Sequence, residues 1–337
     1  MDEKPVPGIF RKFAWLIISG LIFFVFLAVI LGFAYGTYLL FFTPEGQTIV
    51  SIIPSGFLFY VFYYLGFIIF DIGWLLQAGS ISIGLIFILC CIVYLISLVL
   101  LFLRPSTNFF SKLISLLKRE TLDPFEENGL LSIIIFLGVN YIIIYVLVII
   151  VTFIGLPLGG PTEINLLFII EGVLAAVLEE FWFRLVLIGP FLGIGYCWFI
   201  RKHSVPEPYL KIFLAALINP SHARERSGNY GGLYRFEYFL IIASAAYFGI
   251  LHVIGMWEIG FLPVATVGGL FLAYSYVRFG LKGSLFFHWT FNFIQSIAAV
   301  TIQEDIVIAF GILLIYPAWL ILGLVGIILG LIHARRR

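Results

Sequence analysis

"VLEEFWFRLVLIGPF" runs from Val177 to Phe191 and sets two adjacent carboxylates, Glu179 and Glu180, and one guanidinium, Arg184, among Phe, Trp, Leu, Val and Ile. A segment this apolar reads as part of a membrane helix. One charge at the centre of such a helix costs about 2.5–3.5 kcal/mol on insertion scales. Three facing lipid would then cost on the order of 8–10 kcal/mol. They must therefore face one another, a polar cavity, or both. The stretch reads as a membrane helix with one chemically active side.

The rest of the chain agrees with that environment. Of its 337 residues 62% are hydrophobic and 11% charged, against about a quarter charged in ordinary soluble domains. Apolar runs of about 18 residues or more, each long enough to cross a hydrocarbon core, recur along the length. They are continuous rather than short and alternating, which argues against a β-barrel. The fold class expected is an all-α polytopic membrane protein, with about 8–10 transmembrane helices around a polar intramembrane cavity. Spans are expected near 14–36, 50–70, 80–103, 130–154, 164–200, 237–254, 261–279, 284–302 and 307–332. The stretch 164–200 is either one long bent helix or two crossings broken near Gly189 and Pro190, because proline removes a helix hydrogen bond. The first run is too long for a signal-peptide core and reads as a retained span.

A net charge of +1 with no basic domain points away from nucleic acid. The expected partners are membrane lipids and a substrate. Cys90, Cys91 and Cys197 lie inside apolar runs and suit neither a disulfide framework nor a zinc site, so they read as small core residues. The organisation expected is N-terminal helices with an amphipathic surface segment (1–128), a core (129–302), and a last helix with a basic tail (303–337). The amphipathic piece is Phe109 to Leu117. The larger break, Arg201 to Arg235, is rich in Pro, Gly and Arg and holds one apolar piece too short to span. Arg201, Lys202, Lys211, Arg224, Arg226 and Arg235 mark that break as cytoplasmic, as do Arg278 with Lys282 and the terminal "HARRR". The seven Trp read mostly as interface markers, with Trp182 and Trp289 more suited to core packing.

The polar residues are distributed unevenly. Between Phe13 and Leu103 the only charged side chains are Glu45 and Asp71, near predicted span ends. From Glu163 onward Glu171, Glu179, Glu180, Arg184, His252, His288 and Asn292 lie within or near spans. Glu180 and Arg184, Phe248 and His252, and His288 and Asn292 are each four residues apart, and so share one helix face. Three helices thus present carboxylate, guanidinium, imidazole and amide, the groups of acid–base chemistry. Alone, His288 or Asn292 would read as a hydrogen bond between helices. Glu171 suits the same cavity or a packing role, and His203 and His222 read as solvated.

Glu179–Glu180 with Arg184, then Phe248 with His252, then His288 with Asn292, resemble the signature of the CAAX-protease and bacteriocin-processing intramembrane proteases, which include the type II CAAX prenyl endopeptidases. The approach "GGLFLAYSYVRFGLKGSLFFHW" is similar to that family as well, and the resemblance covers roughly 130–302. It implies an intramembrane endopeptidase acting on a peptide or lipidated protein, such as a prenylated CAAX tail. Expected is a multi-pass protein of a prokaryotic plasma membrane, with the site toward the cytoplasm.

Peptide hydrolysis needs an activated water, a site for the oxyanion and a proton for the leaving amine. The chain has no Gly-x-Ser-x-Gly elbow and no His-Glu-x-x-His. Ser244 and Ser284 lie near the right helices, but a serine mechanism leaves Glu179 unused. The expected roles, which the resemblance also implies, are Glu179 as base, His252 holding the same water, and His288 and Asn292 donating to the oxyanion. Glu180, Arg184 and Phe248 support them. No cofactor is expected. Zinc held by Glu179, His252 and His288 is the rival mechanism. A proton-coupled transporter, a haem protein with His252 and His288 as axial ligands, and a non-proteolytic scaffold or immunity protein of the same family are the other readings.

Overall fold

A computed structural model describes residues 8–52, 81–103, 109–118, 129–159, 164–203, 205–229, 232–254, 257–304 and 313–336. Helices α1 (Gly8–Phe42), α2 (Pro44–Val50), α3 (Ile83–Phe102), α4 (Phe109–Lys118), α5 (Gly129–Phe153) and α6 (Leu167–Glu180) come first. A π-helical segment, Phe181–Ile188, runs directly into α7 (Gly189–His203). Then follow α8 (Tyr209–Ile218), α9 (Pro220–Arg226), α10 (Arg235–Ile254), α11 (Leu262–Phe279), α12 (Leu281–Glu304) and α13 (Ile315–Arg336). There is no strand among the described residues. Among the described residues seven helices are long and apolar enough to cross a membrane, and the chain is an all-α polytopic membrane protein. The expected span 50–70 lies outside the described residues beyond Ile52, and α13 supplies a shorter apolar helix, Ile315–Leu331, than the seven.

One ambiguity is resolved. The stretch 164–200 is one continuous helix, Leu167–His203, not two crossings. Pro190 has no N–H to give and its ring crowds the carbonyl four residues back. The chain answers by widening: the Gly189 N–H reaches the Arg184 carbonyl five residues back. π-segments of this kind occur often at functional sites, and this one begins at the residue after Glu180.

Helix α12 is the centre of the bundle. Its apolar window is 72% buried, against 28–44% for the other six spans, and it packs on α1, α3, α5, α6 and α11. The tight turn before it needs Gly280, whose φ of 78° lies in the left-handed region. A Cβ there would also sit 2.6 Å from the Ile218 carbonyl oxygen. Aromatic rings fill the space around α12: Trp289 stacks on Tyr94 at 3.8 Å and on Phe293 at 4.2 Å. Trp289 and Trp319 are fully inside: Trp289 packs in the core as expected, and Trp319 is a core residue rather than an interface marker. Cys90 and Cys91 are buried free thiols.

The break at 201–235 carries, as expected, one apolar piece too short to span, Tyr209–Ile218. It contains α8 and α9, and a second apolar core forms there around Leu192, Tyr196, Ile212, Ala216 and Tyr276. Arg224, one of the basic residues of the break, is withdrawn from water. It is 3% exposed and pairs with the fully buried Glu237 at 2.8 Å. Tyr196 Oη donates to the same carboxylate at 2.5 Å, and the Tyr234 amide donates to its other oxygen. A carboxylate withdrawn from water demands such partners. The network pins the foot of α10 to α7 and α9. The expected amphipathic segment is α4, whose Phe109 packs on Phe26 with ring centroids 5.2 Å apart.

Candidate active site

The site is built on Glu180. Its side chain is fully buried and both oxygens are engaged. Oε2 accepts from Arg184 Nε at 3.1 Å, and Oε1 accepts from His288 Nδ1 at 3.0 Å. Arg184, itself fully buried, donates through Nη1 to Ser244 Oγ on α10 at 2.8 Å. The guanidinium carbon lies 5.7 Å from the Phe183 ring centre and 5.9 Å from that of Phe248, within cation–π range. Its remaining nitrogen, Nη2, is buried without a hydrogen-bond partner.

This arrangement sets the chemistry of His288. Glu180 Oε1 is an acceptor, so Nδ1 of His288 carries the proton between them. That turns Nε2 toward Glu179, whose Oε2 lies 3.6 Å away. The two adjacent glutamates therefore differ in kind. The Glu179 side chain is 22% exposed and that of Glu180 is not exposed at all. Glu179 is partly exposed, whereas Glu180 is a buried anchor.

His252 enters from α10. Its Nδ1 lies 2.8 Å from the Phe248 carbonyl, which places the proton of a neutral ring on Nδ1 and the lone pair on Nε2. The Phe248 ring is 4.3 Å from the His252 ring and 6.1 Å from the His288 ring, so it stands beside both imidazoles. Beyond His252 lies Phe261, stacked on Trp257 at 4.0 Å. Asn292, one turn after His288, donates from Nδ2 to the Gly172 carbonyl on α6 at 3.2 Å. Gly172 permits that approach, since a Cβ there would lie 2.7 Å from Ser296 Oγ.

Of the expected residues, Glu179, Glu180, Arg184 and His288 thus form one contiguous polar group. Phe248 and His252 adjoin it. Asn292 stands next along α12, in the helix-joining bond that an isolated membrane asparagine also makes. Glu171 is exposed and outside the group, and His203 and His222 are exposed. Ser284 donates to the Leu281 carbonyl at 3.2 Å. Among the described residues no group of three or more His, Cys, Asp or Glu side chains is placed to hold a metal ion. A small cavity of about 40 Å³ lies between Leu101, Gly129, Asn219, Phe279 and Lys282, and no motif residue lines it. Sequence reasoning missed Ser244 as the partner of Arg184, and it missed Gly172. The available signal was a stripe on α10 of Glu237, Ile241, Ser244, Phe248 and Leu251, all buried at helical spacing.

A multi-helix bundle in which buried Glu180 pairs with buried His288 on a facing helix is a polytopic membrane protein with a polar group among its helices. Residues 161–294 match the family of type II CAAX prenyl endopeptidase Rce1-like proteins, which agrees with the resemblance carried by the three motifs. The matched segment runs from just before α6 into α12 and contains every residue of the polar group. The match supports a protease, a peptide hydrolase, as the kind of function. No curated protein and no solved structure matches the chain.

Proposed function

We propose that this protein is an intramembrane endopeptidase in which Glu179 activates water for attack on a peptide bond near the C-terminus of a prenylated, CAAX-type protein. The observation that carries the proposal is the opposed setting of His288, its Nδ1 held by buried Glu180 and its Nε2 facing the half-open Glu179. Glu179 takes a proton from water as the water oxygen bonds to the scissile carbonyl carbon. His252 Nε2 holds that water. His288, with a proton on Nε2, donates to the oxyanion; the two flanking carboxylates complement the positive charge such a ring carries. The amide of Asn292 has a second N–H beyond the one given to Gly172, and it serves the same oxygen. Glu179 then passes its proton to the amine as the C–N bond breaks, so one water is consumed per bond. Each oxyanion donor of this type is worth about 3–4 kcal/mol.

The mechanism proposed routes no step through a metal. Purified protein incubated with a library of prenylated peptides is expected to release a short C-terminal fragment by mass spectrometry, equally with and without chelator. Activity lost to chelator and restored by zinc would transfer the role of Glu179 from base to ligand.

We further propose that the site opens to the cytoplasm, in the plasma membrane of a prokaryote. Exposed Arg201, Lys202 and Lys211 cluster where α7 ends and α8 begins, on the segment that leads from the polar group. Single cysteines placed beside Glu179 are expected to react with an impermeant thiol reagent only in inside-out vesicles. Reaction only in right-side-out vesicles would reverse the orientation.

A further inference from the structure

We propose that Ser244 is a positioning residue for the hydrolytic site: it holds the helix that carries His252 in register with the pair formed by Glu179 and His288. This inference rests on the reading of the site as a hydrolase.

The reacting groups come from three directions. The π-helical segment and α6 carry Glu179, Glu180 and Arg184, α12 carries His288 and Asn292, and α10 carries His252. Helices α6 and α12 are joined directly, by Glu180 to His288 at 3.0 Å and by Asn292 to the Gly172 carbonyl at 3.2 Å. Helix α10 reaches the same carboxylate through one intermediary. Ser244 accepts from Arg184 Nη1 at 2.8 Å, and Arg184 Nε donates to Glu180 Oε2 at 3.1 Å. Both the serine and the arginine are buried, at 3% and 0% exposure, so water does not compete for the bond.

Two features give the serine leverage. A guanidinium is a rigid planar fork, and displacing one arm turns the other. Because Nη2 has no hydrogen-bond partner, Nε and Nη1 are the atoms whose bonds fix the plane. Removing the hydroxyl leaves the plane pinned at Glu180 only, flanked by the Phe183 and Phe248 rings. The second feature is the division of anchors along α10. Glu237, seven residues before Ser244, binds Arg224 and Tyr196 and fastens the foot of the helix to α7 and α9. That anchor belongs to the fold. Ser244 is the anchor at the level of the chemistry, one turn before Phe248 and two before His252, about 12 Å along the axis from the latter. Its removal lets that upper part of α10 shift against Glu179. A displacement of about 1 Å between catalytic groups costs on the order of 10²-fold in rate.

The test uses full-length protein at matched folded fraction on a cleavable prenylated peptide. Ser244→Ala and Ser244→Cys are expected to lower kcat by about ten- to hundred-fold with little change in KM. The cysteine keeps the volume and weakens the acceptor, so it carries the test if the alanine variant folds poorly. Ser244→Thr keeps the hydroxyl and is expected to retain most of kcat. Because Ser244 acts through the placement of His252, His252→Ala should lose less on the Ser244→Ala background than on the wild type. Simple additivity is the result expected of a residue that only packs. Wild-type kcat in Ser244→Cys, threonine as poor as cysteine, or full additivity with His252→Ala overturns the positioning role while the proposed hydrolase stands. A wild-type protein inert toward every peptide, with Glu179→Gln indistinguishable from it, instead overturns the hydrolase reading.

Discussion

Glu179→Gln is expected to lower kcat by about 10²–10⁴-fold, the range general-base catalysis supplies, while the protein remains folded. Glutamine matches the shape of glutamate but cannot take a proton from water. Glu179 is partly open and its near neighbour in the site is His288 Nε2 at 3.6 Å, so little of the fold depends on its charge. Glu180→Gln should behave otherwise. Both oxygens of Glu180 accept, one from Arg184 and one from His288. A carboxamide has one oxygen and must set its NH₂ against one of those donors. The result expected at position 180 is a loss of thermal stability together with a loss of activity, where position 179 shows loss of activity alone. Rates and unfolding midpoints measured on the same preparations separate the two. Equal and small effects at both positions would remove the division of labour between the glutamates.

The second large effect is expected at Arg184. Arg184→Met leaves Glu180 as a buried charge with its guanidinium gone, and breaking a buried pair in this way costs about 3–5 kcal/mol. Replacing both partners with apolar side chains of similar size is often neutral or stabilising. The double change Arg184→Met with Glu180→Met should therefore recover much of the stability that the single change loses. It should not recover activity, because His288 Nδ1 then lacks the carboxylate that orients it. Unfolding in detergent, followed by helical signal, reads the first half; the peptide assay reads the second. A double variant no more stable than the single one would mean that the pair is held for a reason other than mutual neutralisation.

The legible part of this protein was the part where charge contradicts surroundings. Glu179, Glu180, Arg184, His252 and His288 stood out because lipid-facing helices do not tolerate them, and the four-residue spacings assigned them to faces. Spacing shows a face and not the partner opposite. Ser244 in "IIASAAYFG" is an ordinary small residue until the fold brings Arg184 to it, sixty residues away in the chain. Arg224 read as a basic loop residue for the same reason, since its pairing with Glu237 and Tyr196 is made only in the fold. Pro190 announced a disturbance in the helix, but not its form. A kink, a break and a π-segment all answer a missing N–H, and packing chooses between them. Gly172 carried no signal, because its role is the absence of a side chain where α6 meets α12.

The most direct test of a glutamate-activated water is to follow that water. Purified protein and its Glu179→Gln variant are each incubated with a prenylated peptide in H₂¹⁸O, and the new C-terminus of the long fragment is weighed. The prediction is single ¹⁸O incorporation by the wild type, in the presence of chelator, and no labelled fragment from the variant. Label incorporated by Glu179→Gln at the wild-type rate would contradict the account.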